Sequence, residues 1–196
     1  MPRVTALTPE RVGTHLGVEL DGAPWRRIPL EVAARVGLTA GSELGRPELR
    51  ALRRELRRAE ALNVATRALV HRDRSRSNLR TRLAAAAIPP WAVEEALDTL
   101  ERAGIVDDER FARTRAEALA ARGSGDALIE EELLAAGVLD SEVAEAIAAL
   151  EPERERAIRV AARRGESAAT ARWLGRRGFG HEAIEAALPR LVADES

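Results

Sequence analysis

The chain has 196 residues, with 31 basic and 32 acidic side chains, three histidines and no cysteine, for a net charge of -1. That balance gives no whole-molecule field to attract DNA or a membrane, and the missing cysteine excludes disulfides, thiolate catalysis and cysteine-based zinc sites. Every basic residue is arginine, which excludes the phosphate-loop lysine and Schiff-base chemistry.

The hydrophobic fraction of 45% is enough for a core, and the aromatic fraction of 3% means that core is built from Leu, Val, Ile and Ala. No apolar run is long enough to span a bilayer and no secretory leader pattern is visible, so a soluble, cytoplasmic protein with no membrane association is expected.

In chain order, residues 4–7 read as a short strand. Leu16, Val18 and Leu20 alternate with Gly17 and Glu19, the period of a half-buried strand. Asp21-Gly22 is a favoured hairpin pair, and residues 25–28 return as the next strand between Pro24 and Pro29. Pro29 suits the start of a short helix over 30–36, ended by Gly37. This small β-containing head, residues 1–45, is too short to bury much core and is expected to lean on the helix that follows.

From Pro47, Leu49, Leu52, Leu56, Ala59 and Leu62 recur at spacings of three and four, with Arg50, Arg53, Arg54, Arg57 and Arg58 between them. The pattern predicts an amphipathic helix of about 25 residues with an arginine-rich outer face, unbroken before 71–77. Residues 72–82 are the most basic segment, with Arg72, Arg74, Arg76, Arg80 and Arg82 against Asp73 alone. Ser77 or Asn78 can cap the next helix, whose free N–H groups would face an anion. Two readings fit these arginines, phosphate contact or solvated surface.

Three stretches then repeat one pattern. Leu79, Leu83, Ile88, Val93, Leu97 and Leu100 fall, 50 residues on, upon Ile129, Leu133, Val138, Val143, Ile147 and Leu150. A further shift of 41 turns the last five into Leu174, Phe179, Ile184, Leu188 and Leu191. The helix-stopping Gly137 becomes Gly178, and in the first copy it is Ala87. A period of this size predicts tandem supersecondary units. The expected fold is mostly α: three tandem three-helix repeats in a curved array, over 46–105, 106–150 and 151–196, behind the head.

The repeats differ in charge. Residues 106–150 carry 11 acidic residues against 4 arginines, including Glu130, Glu131 and Glu132 where the first repeat has Arg80-Thr81-Arg82. Residues 154–177 carry 8 arginines, among them Arg163, Arg164, Arg172, Arg176 and Arg177, against 2 glutamates. Trp173 falls where the sister repeats have Arg82 and Glu132, and Trp91 where they have Ser141 and Glu182. Slots filled by charge in sister units face outward, which makes both tryptophans candidate protein contacts. The competing reading packs each against a neighbouring repeat.

Asp107-Asp108-Glu109 reads either as a carboxylate cluster or as a helix N-cap with acids favoured by the dipole; the second fits better, since no other ligand type lies nearby. His15, His71 and His181 have no metal-ligand spacing, and neither a nucleophile-elbow pattern nor a dinucleotide loop occurs. No catalytic, cofactor-binding or metal-binding residue is assigned, no cofactor is expected, and a non-enzymatic protein is predicted.

The segment Ile105-Val106-Asp107-Asp108-Glu109-Arg110-Phe111-Ala112, followed by Arg122-x-Gly and Leu-x4-Gly ending at Gly137, resembles the RecX regulatory protein family. The likeness extends over about 49–191, and the head with residues 37–44 is also similar to that of many members. The resemblance implies a monomeric, non-enzymatic regulator of homologous recombination, DNA repair and the SOS response. Such a protein binds the RecA recombinase and its nucleoprotein filament, touches DNA weakly and without sequence preference, and restrains ATPase and strand exchange. The family's second repeat is usually richer in basic residues than the acidic one here. On the residues alone, an autonomous DNA-binding helical-repeat protein and a protein-binding scaffold remain open. The candidate nucleic-acid or filament contacts are Arg72, Arg74, Arg76, Arg80, Arg82, Arg163, Arg164, Arg172, Arg176 and Arg177. The candidate protein contacts are Trp91, Trp173, Glu130, Glu131 and Glu132.

Overall fold

The computed structural model describes residues 1–10, 14–70 and 72–189. Strands β1 (Val4–Pro9), β2 (His15–Leu20) and β3 (Ala23–Pro29) form one antiparallel sheet in sequence order. The β2–β3 turn places Asp21 at φ 51 and Gly22 at φ 83. Positive φ at both central residues is the tight hairpin geometry that an Asp-Gly pair favours. Helix α1 (Leu30–Arg35) follows at once from Pro29, and Gly37 takes φ 66 beyond its end.

Helix α2 (Arg46–Val70) is 25 residues long, as its apolar spacing predicts; His71, where a break is expected, lies outside the described residues. Val4, Leu16, Val18, Ile28 and Val32 of the head bury a common core with Leu52 and Ala59 of α2. The head therefore completes its core on the long helix. Farther along, α2 packs on α4 (Pro90–Arg102). Ala61, Ala65 and Ala68 are buried there, small enough for two helices to approach closely.

Among the described residues, the helices from α2 onward fall into three groups of three. The first is α2, α3 (Arg76–Ala85) and α4; the second α5 (Asp108–Ala121), α6 (Asp126–Ala135) and α7 (Asp140–Ala148); the third α8 (Glu153–Arg164), α9 (Ala168–Arg176) and α10 (His181–Ala187). The aligned apolar positions are core positions. Leu79, Leu83 and Leu97 are fully buried, as are Ile129 and Leu133, while Leu174 and Leu188 are buried in the third group. Ile147, Leu150 and Ile184 are partly buried against the same cores. Phe111 packs against the second core, and Leu191 lies outside the described residues.

The chain divides into two compact units, Met1–Arg72 with Leu79–Ala103, and Asp73–Asn78 with Gly104–Ser196. The boundary falls within α3, so Arg74 and Arg76 go with the second unit, and Arg80 and Arg82 with the first. In the second unit a helix start in one repeat is capped by the next repeat. Gly125 N donates to Arg177 O at 2.8 Å, Asp126 N to Glu153 Oε1 at 2.6 Å, and Ala127 N to Gly178 O at 3.2 Å. The segment 73–78 is held the same way: Ser75 Oγ donates to Ala136 O at 2.5 Å and Arg76 N to Asp108 Oδ1 at 2.7 Å. The orphan N–H groups of two helix starts thus find their acceptors outside their own helix. Asp108 and Glu153, each the first residue of its repeat's opening helix, do the same work.

Candidate functional site

The start of α3 differs from its expected form. The cap is Ser75, whose Oγ accepts from Asn78 N at 3.1 Å; neither Ser77 nor Asn78 begins the helix. Ser75 is buried and tied to Ala136 O, so the helix starts two residues early. The anion facing its N–H groups is the protein's own Asp108 carboxylate. Asp107 likewise caps α5, accepting from Arg110 N at 2.8 Å, and Glu109 pairs with Arg113 at 2.6 Å. The carboxylate triplet is therefore a helix start. Among the described residues no group of His, Asp or Glu is arranged to hold a metal ion.

The predicted arginines separate into clamped and open ones. In the first unit Arg80 grips Glu94 with both arms, Nε to Oε1 at 2.7 Å and Nη2 to Oε2 at 2.9 Å. Arg82 and Arg72 are exposed and make no hydrogen bond or ion pair among the described residues. Arg54 of α2 pairs with Glu95 and lies 5.0 Å from the centre of the Trp91 ring, leaving Trp91 39% exposed. A guanidinium over an exposed indole contributes about 0.5–1 kcal/mol, so Trp91 is held in place yet accessible. Arg74 and Arg76, in the second unit, are partly buried.

In the third repeat Arg177 is a structural clamp. Its Nε donates to Gly123 O at 3.1 Å, and its Nη2 to Arg122 O at 3.0 Å and Ser124 Oγ at 2.9 Å. It thereby satisfies carbonyls at the C-terminal end of α5, where a cation also suits the helix dipole. Arg164 stacks over Trp173 at 4.4 Å, with Arg177 at 5.7 Å from the same ring. Trp173 is half-buried beside the third core and reaches the Gly123 turn, where an added Cβ would stand 3.2 Å from its Cη2. Arg163, Arg172 and Arg176 are exposed, with no hydrogen bond or ion pair among the described residues. Glu130, Glu131 and Glu132 are all exposed, and Glu132 pairs with Arg115 at 2.9 Å.

A groove of about 580 Å³ runs between the second and third repeats. Leu150, Val160, Trp173 and Phe179 supply apolar lining, and Arg122, Arg159, Arg163 and Arg164 the charge, against Glu117 and Glu151. Arg159 is tied to Glu151. At its base lies Arg156, which the charge pattern of the sequence does not single out. Arg156 is 6% exposed and donates Nε to Glu151 O at 3.0 Å, Nη1 to Ser124 O at 2.8 Å, and Nη2 to Asp126. Its guanidinium also lies 5.9 Å from the Phe179 ring. In Glu153-Arg154-Glu155-Arg156 the alternating charges look like a solvated helix face. The one available signal is that Arg156 stands 45 residues after the inward-facing Phe111, as Ala157 does after Ala112. Burial raises the pKa of Asp126; the Arg156 cation pulls it down and neighbouring Glu153 pushes it up, and the net direction is upward. The pair is therefore a packing device in the second unit, and the open arginines around the groove remain its chemically available charge.

No family model matches the chain. Curated relatives do, and two of them serve as examples. Regulatory protein RecX of Chromohalobacter salexigens is 36% identical over 133 residues, 63% of this chain and 88% of that one. Regulatory protein RecX of Halorhodospira halophila is 32% identical over 143 residues, 68% of this chain and 88% of that one. Among solved structures, a crystal structure of regulatory protein RecX superposes with TM-score 0.80 over 95% of this chain and 98% of that one, at 19% identity. RecX from Lactobacillus salivarius superposes with TM-score 0.61 over 70% of this chain and 97% of its own, at 17% identity. At those identities the two structures speak for the fold, mostly helical behind a small three-stranded sheet, and the two sequence relatives for kinship. The chain belongs to the family of RecX regulatory proteins.

Proposed function

We propose that the protein is a non-enzymatic, monomeric, cytoplasmic regulator of RecA that binds the RecA–DNA filament and restrains its ATPase and strand exchange, and so acts in recombination and repair. Family membership supports the class of protein. The observation that carries the contact surface is the set of open arginines in the third repeat: Arg163, which lines the groove that holds Trp173, and Arg172 and Arg176, which share helix α9 with Trp173. Arginine pairs bidentately with phosphate or carboxylate, and its charge persists at any physiological pH. The exposed Glu130-Glu131-Glu132 face of the second repeat is repelled by phosphate and suits a basic protein surface. A filament of protein and DNA offers both kinds of surface.

Co-sedimentation of the full chain with DNA alone, RecA alone and RecA on DNA tests this reading. Binding strongest to RecA on DNA, with slowed ATP hydrolysis, is expected. Equal binding to naked DNA would instead indicate an autonomous DNA-binding protein, and equal binding to RecA without DNA a protein scaffold.

A further inference from the structure

The first unit carries a second basic concavity, between strand β3 and helix α2. The groove has a volume of about 790 Å³, with Pro29, Leu56, Ala59 and Val64 as apolar lining. Its polar lining is Arg26 from the strand and Arg53, Arg57, Asn63 and Arg67 from the helix, with Glu60 the acid among them. Glu60 is already engaged by Arg57 at 2.7 Å. Arg53 and Arg67 are exposed and make no hydrogen bond or ion pair among the described residues. Arg26 is exposed and lies 5.3 Å from the centre of the Trp25 ring.

We propose that this groove binds the phosphodiester backbone of a single nucleic-acid strand. Arg53 and Arg57 stand about one turn apart, and Arg53 and Arg67 about 21 Å apart along the axis, at 1.5 Å per residue. Arg46 and Arg50 are exposed at the same helical spacing and extend the row toward the N-terminus of α2. Four cations at steps of three or four residues, with Arg67 ten residues farther along the same helix, suit a polymer of repeating anions. Each guanidinium presents a fork that suits a phosphate, and the Asn63 amide adds a neutral donor of the kind common at nucleic-acid backbones. A neighbouring aromatic favours one strand. Trp25, 37% exposed beside Arg26, offers an indole on which an unpaired base can stack, and a basic groove with such an aromatic is the arrangement that suits a single strand rather than a duplex. With the chain's net charge at -1, the attraction comes from local basic patches such as this groove and not from the whole molecule.

The test uses the full chain without RecA, so its failure and the failure of the filament reading are separate results. A fluorescein-labelled oligothymidylate is titrated by anisotropy across a salt series. Arg53→Glu with Arg57→Glu is expected to weaken binding at least about tenfold, and to reduce the salt slope by about 0.7 for each phosphate no longer neutralised. Arg26→Glu with Arg67→Glu should act in the same direction. Arg102→Glu with Arg154→Glu makes the same charge change at exposed positions elsewhere and should leave affinity within about twofold. Circular dichroism and melting check the fold of each variant; because Arg57 pairs with Glu60, Arg53→Gln with Arg67→Gln provides a milder pair that leaves that contact intact. Unchanged affinity and slope in both groove pairs would overturn the proposal, as would an equal weakening in the control. So would displacement of the strand by poly-glutamate as readily as by unlabelled oligothymidylate, which would make the groove a site for acidic protein, or equally tight duplex binding through the same arginines.

Discussion

Ala87 occupies, with φ 56, the helix-ending position that Gly137 fills with φ 75 one repeat later. The left-handed region costs an L-residue about 1–2 kcal/mol and glycine almost nothing. The two residues differ in what presses on them. A Cβ at Gly137 would stand 2.3 Å from Ser77 Oγ, and a Cβ at Gly178 would stand 2.5 Å from Leu128 N. Those turns abut the start of a helix from the preceding repeat. The first repeat follows the head rather than another helical repeat, and its Ala87 is exposed, so a methyl group is tolerated there at the cost of backbone strain alone. Ala87→Gly should therefore stabilise by about 0.5–1 kcal/mol, whereas Gly137→Ala should destabilise by about 2–4 kcal/mol from strain and overlap together. Urea midpoints of the two variants check this, and a stabilising Gly137→Ala would refute the close-approach account.

Leu133 and Leu174 are fully buried at equivalent places in the second and third repeats. Truncation of either to alanine should cost about 2–5 kcal/mol, the range for buried leucine. Denaturant unfolding measures it. Losses below about 0.5 kcal/mol at both sites would be surface-like and incompatible with the shared core position.

Arg156 holds Ser124 O, Glu151 O and Asp126 at once while almost fully buried. Arg156→Ala leaves two carbonyls without their donor, and removal of one member of a buried ionic pair costs about 3–5 kcal/mol. Because Asp126 can still reach water at 37% side-chain exposure, the low end of that range is expected in denaturant unfolding. Arg156→Lys should restore only part of the stability, since one ammonium cannot span three acceptors.

Asp126 gives a pH test with a definite sign. Its folded pKa is raised, by burial first. Between the ordinary carboxylate range and that raised value, the folded chain holds a proton that the unfolded chain has released. This group's contribution to stability therefore falls as pH rises through that window and stays unfavourable above it. Asp126→Asn keeps the oxygen that faces Arg156 and removes the charge. It should be at least as stable as the parent at neutral pH, with the difference shrinking as pH falls into the ordinary carboxylate range. A variant clearly less stable at neutral pH would show that attraction to Arg156 outweighs burial.

The range of the interactions decides which features are legible in the chain. The periodic leucines set the length of α2, and the 50- and 41-residue offsets place Leu83, Leu133 and Leu174 in equivalent cores, because helix burial follows local spacing. Asp21-Gly22 marks its hairpin because the turn selects those residue types. The arginines are legible as charge and illegible as contacts. Arg80, Arg82, Arg172 and Arg177 look alike in sequence, yet Arg80 grips Glu94 and Arg177 closes the end of α5 some 53 residues away at Ser124, while Arg82 and Arg172 stay open. Ser75 is hidden as a cap for the same reason: its partner, Ala136 O, is 61 residues distant and belongs to the backbone. The groove between β3 and α2 needs Arg26 and Arg67 brought together across the sheet–helix packing, which no local pattern encodes.

The division between clamped and open arginines decides how the proposed filament contact should be probed. Reversing Arg177 or Arg80 would break internal contacts, so any weakening of binding would be mixed with damage to the fold. Arg163, Arg172 and Arg176 avoid that problem. Their reversal to glutamate should leave the melting temperature within a few degrees, since isolated surface changes are usually worth within about 0.5 kcal/mol. Binding to RecA on DNA should weaken, and its salt dependence should flatten by about 0.9 for each duplex phosphate no longer neutralised, as fewer counterions are released. Reversing Glu130 and Glu131 to arginine should not flatten the salt dependence, because no phosphate contact is removed; it should raise non-specific DNA binding, because a repulsive patch is gone. Glu132 is left alone in that variant for its pairing with Arg115. The measurement is filament co-sedimentation across a salt series with melting curves alongside. If the triple arginine reversal keeps both the affinity and the salt slope of the parent, those side chains are solvated surface, and the filament contact must lie elsewhere on the chain.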